Sequence, residues 1–181
     1  MELDEQGWLC GATHIASPNY DSRPAGMPVE LLVVHAISLP PEQFGGNGIV
    51  ELFTNTLNPA EHPFYAEISH LRVSAHFLVR RDGAVYQFVS TLQRAWHAGV
   101  SSWQGRERCN DFSIGIELEG SDYQPFEPVQ YEILNQIIAA CRAWFPILEV
   151  TGHLHIAPQR KTDPGPFFCW ERVAFTKSDK L

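Results

Sequence analysis

The sequence has no surplus of basic residues and no long apolar run. Its 181 residues include 13 Lys and Arg against 21 Asp and Glu, so the formal net charge is −8 at pH 7. Nucleic-acid-binding domains usually carry a basic surplus, and polybasic patches attract proteins to anionic lipid. A membrane-spanning helix needs about 20 apolar residues, whereas the run Leu31–Val34 ends at His35. We therefore expect neither nucleic acid nor membrane as a partner.

Several common motifs are also missing. The chain contains no G-x-S-x-G nucleophile elbow, no P-loop and no G-x-G-x-x-G fingerprint, so that kind of serine catalysis and nucleotide binding are unsupported. Its four cysteines, Cys10, Cys109, Cys141 and Cys169, form no C-x-x-C pair. Residues 1–5 are acidic, where a secretory signal would be basic and then apolar. We expect a cytoplasmic protein with reduced thiols, packed mainly as small apolar side chains.

The composition is that of a globular protein, with 44% hydrophobic and 19% charged residues. The length suits one domain of ordinary size better than two, and no repeat or linker divides the chain. We therefore predict a single domain over residues 1–181, with a monomer as the default oligomeric state.

Short apolar and alternating runs predict strands. Residues 30–35 form an apolar run typical of a buried strand, and it ends at a histidine. Residues 112–118 alternate, which places Ile114 and its neighbours on one face and Glu117 on the other. Residues 74–80 and 84–89 flank Asp82-Gly83, a strong hairpin signal.

One helix is predicted clearly, over residues 128–145, from its 3.6-residue apolar period and from the proline at its start. A second helix is expected over residues 167–175, while residues 39–48 and 57–66 are predicted to be loops. Together these elements indicate an α/β (α+β) fold, with a central mixed β-sheet flanked by helices.

The eight histidines raise the question of a metal site. His35 ends a predicted strand, His153 follows a short strand and a glycine, and Asp163 lies before a Pro-Gly turn. Two imidazoles and a carboxylate suit a catalytic zinc ion that keeps a fourth position for water. From spacing alone, hydrogen-bonded histidines at strand ends are the favoured interpretation. In an extended segment His155 would lie on the same side as His153, so it is an alternative third ligand to Asp163.

Two further residues are candidates for catalysis. Glu117 lies on the polar side of an apolar strand, with Glu119 on the same side, and a buried carboxylate is costly unless it is paired or functional. Near a metal, Glu117 could move a proton between water and a leaving group. A carboxylate paired with an arginine is the alternative. Lys161 could stabilise an oxyanion, or it could be an ordinary solvated lysine.

The segment that contains Trp96 and His97 is predicted to form the wall of a substrate-binding groove. Both side chains have flat rings that stack well on sugar faces and acyl chains. Trp96 could equally be a core residue.

Four sequence blocks closely resemble the zinc-dependent N-acetylmuramoyl-L-alanine amidases. They are VSAHFLVRRDG at residues 73–83, RAWHAGV at 94–100, CNDFSIGIELEG at 109–120 and RKTDPG at 160–165. The resemblance covers roughly residues 5–175. It implies a mixed sheet flanked by helices, the fold shared with peptidoglycan recognition proteins.

The resemblance also implies roles for individual residues. It carries the zinc ligands to His35, His153 and Asp163, the catalytic carboxylate to Glu117 and the oxyanion-stabilising lysine to Lys161. Arg72 and Arg160 match positions that the family uses near the peptide carboxylates of the substrate. Local cations of this kind suit an anionic ligand that approaches a protein of negative net charge.

Two positions depart from the family pattern. The family usually has an asparagine directly after the first ligand, where this chain has Ala36. It usually has an aspartate two residues after the second ligand, where this chain has His155. The first change puts substrate positioning in question, and the second could remove a group that orients a ligand.

The expected function is zinc-dependent hydrolysis of the amide between the lactyl group of (1,6-anhydro-)N-acetylmuramic acid and L-alanine in muropeptides, for peptidoglycan recycling. The expected cofactor is Zn²⁺ and the expected partner is an anhydro-muropeptide substrate. One alternative is a non-catalytic protein on the same fold that binds or senses peptidoglycan fragments. Another is an amidase that acts on intact cell wall.

Overall fold

The structure is a computed structural model that describes residues 1–174. Its central element is a six-stranded sheet. The strand order is β1-β5-β4-β9-β3-β10, and two small two-stranded sheets pair β2 with β6 and β7 with β8. In chain order the strands are β1 (Thr13–His14), β2 (Tyr20–Ser22), β3 (Leu31–Ile37), β4 (Phe77–Val79), β5 (Val85–Gln87), β6 (Gln93–Ala95), β7 (Ser102–Trp103), β8 (Arg106–Glu107), β9 (Ser113–Glu119) and β10 (Glu149–Gly152). The sheet contains both parallel and antiparallel pairs, which confirms the predicted mixed sheet.

Four α-helices accompany the sheet in the described part of the chain. They are α1 (Gly48–Phe53), α2 (Pro63–Ile68), α3 (Pro128–Trp144) and α4 (His153–Ile156). The long helix α3 lies where its apolar period predicts it, and it buries one side against the apolar face of the sheet. Among the described helices, none has the length and apolar character needed to cross a bilayer.

The hairpin predicted at Asp82-Gly83 is present, because β4 and β5 pair antiparallel on either side of it. Two other predictions need correction. Residues 57–66 are not wholly irregular, because His62 caps the start of α2 through the backbone N–H of Phe64. The expected helix over 167–175 is only a 3-10 turn at Trp170–Arg172, and residue 175 lies outside the described residues.

Three neighbouring parallel strands position the side chains of interest. β3 lies between β9 and β10, and it is parallel to both. Parallel strands end at the same edge of a sheet, and the crevice at that edge is where such sheets commonly bind ligands. His35 near the end of β3, Glu117 near the end of β9 and His153 directly after β10 therefore share one edge.

The described cysteines form no disulfide. Cys109 and Cys141 are buried in apolar clusters, as the sequence predicts for small apolar side chains, whereas Cys10 is exposed.

Candidate metal centre

Three side chains converge at this edge of the sheet. His35 Nδ1 lies 2.9 Å from His153 Nδ1, and Asp163 Oδ2 lies 3.1 Å from each of these nitrogen atoms. Both imidazoles are buried, and the carboxylate is largely so. The structure thus brings together, from positions 118 and 10 residues apart, the three residues predicted as metal ligands.

The hydrogen bonding of His153 shows what this cluster can hold. His153 Nε2 lies 3.1 Å from the carbonyl oxygen of Ala98, which can only accept, so Nε2 carries the ring hydrogen. In the neutral ring, Nδ1 then presents a lone pair to the Asp163 carboxylate and to Nδ1 of His35. Atoms whose lone pairs face one another at this spacing repel unless a cation lies between them. Their separations are close to the roughly 3.3 Å edge of a tetrahedral zinc site, so these residues fit a zinc ion.

A cavity of about 220 Å³ opens onto the cluster. Besides the three candidate ligands, its lining includes four other residues for which the sequence predicted a role: Trp96, His97, Glu117 and Lys161. A catalytic zinc site keeps one coordination position open to water and substrate, and this cavity supplies the space for it.

Burial keeps His35 in the protonation state that binds metal. Burial lowers the pKa of His35 to about 4, so its imidazole is neutral at neutral pH. A neutral imidazole is the form that coordinates a cation.

Glu117 is a buried carboxyl group beside the cluster. Its residue pairs with His35 in the parallel register of β9 and β3, and its side chain lines the same cavity. Among the described residues, its Oε2 atom has no hydrogen-bond partner. Burial, together with the charge of Asp163, raises the pKa of Glu117 to about 8. A carboxyl group held in this way at a cavity is suited to proton transfer.

Glu119, two residues further along β9, accounts for the arginine-paired alternative. Arg80 Nη1 donates to Glu119 Oε1 at 2.8 Å, and both side chains are buried. The backbone N–H groups of Gly45 and Arg81 also donate to this carboxylate. Glu119 is therefore the paired carboxylate of the strand, and Glu117 is the one that faces the candidate metal centre.

Trp96 and His97 differ in what they contact. Trp96 is half-buried and lines the cavity, in keeping with the predicted groove wall. His97 also lines it but is only 9% exposed, and its Nδ1 lies 2.9 Å from Nε2 of His35. His97 therefore contacts a candidate metal ligand directly.

The two predicted substrate-binding arginines lie outside the lining of this cavity. Arg72 is exposed beside the lining residues Leu71 and Val73, and its Nη1 donates to nearby backbone carbonyls. Arg160 Nη2 donates to the carbonyl oxygens of Ala98 and Val100. Arg160 lines a separate cavity of about 830 Å³, which no sequence motif indicated.

His155 does not join the metal cluster. It lies in the single turn of α4, where residues two apart point in different directions, rather than in an extended segment. Its Nδ1 accepts from the backbone N–H of Gly152 at 3.2 Å, and its ring lies against Trp170. The alternative that made His155 a third ligand is therefore not supported. Ala36, the other departure from the family pattern, lines the cavity.

Comparison with known protein families shows which family this chain matches. Residues 25–166 match the model of the N-acetylmuramoyl-L-alanine amidase family. The chain belongs to this family. As an N-acetylmuramoyl-L-alanine amidase, it is a hydrolase of a peptidoglycan amide bond, as the sequence resemblance predicted.

This amidase has close relatives over nearly its whole length. It is 58% identical, over 172 residues and 94% of each chain, to the 1,6-anhydro-N-acetylmuramyl-L-alanine amidase AmpD of Escherichia coli K12. It superposes on a crystal structure of a selenomethionine AmpD derivative with a TM-score of 0.93 at 57% identity, covering 95% of this chain and 97% of the other. The close superposition confirms the predicted fold class.

A more distant relative has been solved with a ligand. The E. coli amidase AmiD, in complex with the substrate anhydro-N-acetylmuramic acid-L-Ala-D-γ-Glu-L-Lys, is 34% identical with a TM-score of 0.60. The match covers 84% of this amidase and 59% of the AmiD chain.

Proposed function

We propose that this amidase uses a zinc ion, held by His35, His153 and Asp163, to hydrolyse the bond between the lactyl group of 1,6-anhydro-N-acetylmuramic acid and L-alanine. The observation that carries the proposal is the convergence of these three side chains beside an unpaired buried carboxyl group at a cavity. The names of the AmpD relatives and the ligand of the AmiD complex support the choice of substrate.

The proposed reaction would use the zinc ion and two side chains, Glu117 and Lys161. A bound zinc ion would supply a Lewis acid for the scissile carbonyl and would lower the pKa of water at its open position. Glu117 accepts the proton of the attacking water and donates it to the alanine nitrogen as the C–N bond breaks. The positive charge of Lys161 stabilises the negative charge that develops on the carbonyl oxygen.

The raised pKa of Glu117 belongs to the protein without a cation. A divalent ion held by the neighbouring ligand cluster would favour the ionised carboxylate and so would lower the pKa of Glu117. It can then act as a base at neutral pH and as an acid after it has taken the proton.

The substrate is anionic, so cations outside the cavity have a role in binding it. Arg72 lies in the chain between Leu71 and Val73, which line the cavity, and Arg160 donates to the carbonyl oxygen of Ala98. We assign both to the peptide carboxylates, which bind guanidinium groups well. Trp96 supplies a flat surface for the sugar or the lactyl group.

The same relatives suggest where this reaction is used. The anhydro sugar in the names of the AmpD relatives favours released fragments over an intact wall as the substrate, so we assign the protein to peptidoglycan recycling in the cytoplasm, as a monomer. Comparing anhydro-muropeptides with intact sacculi as substrates tests this assignment. Faster release of peptide from sacculi would contradict it.

Product analysis tests the proposed reaction. Purified protein is incubated with anhydro-muramyl tripeptide, with zinc and with a chelator, and the products are identified by mass spectrometry. We expect free tripeptide and free anhydro-sugar, lost with the chelator and restored by zinc. Unchanged cleavage by protein shown to be metal-free would contradict zinc dependence. No cleavage by zinc-loaded protein would contradict the substrate.

A further inference from the structure

A buried imidazole lies directly behind one of the candidate zinc ligands. His35 faces the cluster with Nδ1, and its other nitrogen, Nε2, lies 2.9 Å from Nδ1 of His97. Histidine ligands usually donate their second N–H to a carboxylate, a backbone carbonyl or water, and this partner fixes the orientation of the ring. An imidazole in that position can accept only if its own hydrogen is on the other nitrogen.

The atoms behind His97 determine the direction of this hydrogen bond. Ser113 Oγ lies 2.6 Å from the carbonyl oxygen of Cys109, so the hydroxyl hydrogen is donated there. His97 Nε2 lies 3.2 Å from the same hydroxyl oxygen, which therefore accepts the N–H of His97. A neutral His97 that donates from Nε2 has a lone pair on Nδ1, so it accepts the Nε2 hydrogen of His35. That leaves Nδ1 of His35 without a hydrogen, as a metal ligand requires.

Gly115 in strand β9 leaves space for the ring of His97. A Cβ atom built at Gly115 of β9 would lie 2.4 Å from Cγ and 2.6 Å from Nδ1 of His97. Real Cβ atoms do not approach other atoms so closely, so the ring occupies space that only glycine leaves open. His97 is thus held from below by the sheet and at its far end by Ser113.

One side chain holds the backbone that supports both histidine ligands. Asn110 Oδ1 accepts from the backbone N–H groups of His97, at 3.2 Å, and Ala98, at 2.8 Å. His97 supplies the acceptor for His35, and the Ala98 carbonyl oxygen supplies the acceptor for His153. Two consecutive residues therefore set the orientation of both imidazoles.

We propose that His97 is a positioning residue of the metal centre, which accepts the Nε2 hydrogen of His35 and so turns the Nδ1 lone pair of His35 toward the ion. The assignment rests on the proposed zinc site and deepens it. Both ring nitrogens of His97 are engaged inside the protein, and its place in the groove wall stays a prediction. Loss of such a partner typically weakens metal binding by about 10–100-fold.

Zinc affinity tests the proposal in a pair of matched variants. His97→Asn keeps an acceptor oxygen near the position of Nδ1, whereas His97→Leu has nearly the same shape and no acceptor. With zinc affinity measured by chelator competition, we expect His97→Leu to lose about 10–100-fold and His97→Asn to lose much less. A folded His97→Leu variant with the affinity of the natural protein would overturn the proposal.

His76 provides the control for a purely structural effect. It is buried, its ring centre is 5.8 Å from that of His97, and its Nδ1 accepts from the backbone N–H of Gly115 rather than contacting a candidate ligand. His76→Asn should lower stability and leave zinc affinity unchanged. An equal loss of zinc affinity in His76→Asn and His97→Leu would overturn the positioning role.

NMR determines the tautomers of His35 and His97 in the natural protein without metal. In ¹⁵N-histidine-labelled, zinc-free protein, two-dimensional NMR should show the hydrogen on Nε2 of both His35 and His97. A hydrogen on Nδ1 of His97 would contradict the proposal even if His97→Leu does not fold. Failure of the natural protein to bind zinc would instead contradict the proposed function, while the NMR result would still decide the hydrogen bond.

Discussion

Glu117 shows how the surroundings of one residue fit it for a task. A carboxyl group in water ionises well below neutral pH, but burial raises the pKa of Glu117 to about 8 in the protein without metal. Oε2 of Glu117 has no hydrogen-bond partner among the described residues, so this oxygen atom is available to take up a proton. Structural carboxylates are usually paired, and this one is not.

Replacing Glu117 should separate catalysis from metal binding. Glu117→Gln has nearly the same shape but cannot accept a proton, so we expect turnover to fall by about 10²–10⁴-fold. Zinc content should stay the same, because Glu117 is not in the ligand cluster. The measurements are the initial rate on anhydro-muramyl tripeptide and metal analysis of the purified variant. A near-normal rate would refute the role of Glu117.

At the scale of the element, strand β9 carries two carboxylates of different function on one face. Glu117 faces the candidate metal centre, and Glu119 binds Arg80 and the backbone N–H of Gly45. Gly115, on the same face, makes room for the ring of His97. One strand therefore contributes the proposed proton-transfer group, the space behind a candidate metal ligand and a structural ion pair, at alternate positions along its length.

The matched change two residues further along β9 should lower stability rather than turnover. Glu119→Gln removes the negative charge that compensates buried Arg80, which costs about 3 kcal/mol when one partner of a buried pair is lost. For a chain of this size, that predicts a fall in Tm of roughly 6–12 °C. Turnover measured below the transition should stay close to that of the natural protein. Calorimetry and the rate assay check both results, and an unchanged Tm would contradict the structural role.

At the scale of the whole molecule, the candidate site is built where three parallel strands end. It combines buried imidazoles with a sheet whose apolar face is covered by α3. Burial lowers the pKa of His35 to about 4 and that of His76 to about 3, with the charge of Arg23 contributing at His76. These rings stay neutral in the folded protein over a range where the unfolded chain takes up protons.

This difference predicts how stability depends on pH in the metal-free protein. Below about pH 6.5 the unfolded state binds a proton at His76 that the folded state does not bind until about pH 3. The free energy of unfolding should therefore fall as the pH falls through this window, by up to about 1.4 kcal/mol per pH unit for this residue. His76→Asn, which keeps an acceptor for the backbone N–H of Gly115, should lose that part of the slope.

Urea denaturation of the natural protein and of His76→Asn between pH 4.5 and 7, with a chelator present, measures the difference in how their stability depends on pH. Glu117 acts with the opposite sign, because the folded state keeps its carboxyl proton up to about pH 8. Its contribution is present in both proteins, so the difference between them isolates His76. Parallel stability curves for the natural protein and His76→Asn would contradict the prediction.

Much of the molecule could be predicted from local sequence. The apolar run before His35 and the alternating run through Glu117 indicated the central strands, and Asp82-Gly83 indicated the hairpin, because these patterns depend on near neighbours. The terminal helix was over-predicted: only the 3-10 turn Trp170–Arg172 forms there within the described residues. Local propensity was overridden where the chain packs against α3, with Asn135 binding the carbonyl of Arg172.

The sequence by itself determined which residues could take part: the histidines at strand ends, the acidic strand and the blocks typical of the amidase family. Only the tertiary structure decided between close alternatives. It gave Arg80 to Glu119 rather than to Glu117, turned His155 away from the cluster in α4, and placed His97 behind His35. The Arg80–Glu119 and His97–His35 contacts join segments far apart in the chain, and residue spacing carries no information about such contacts.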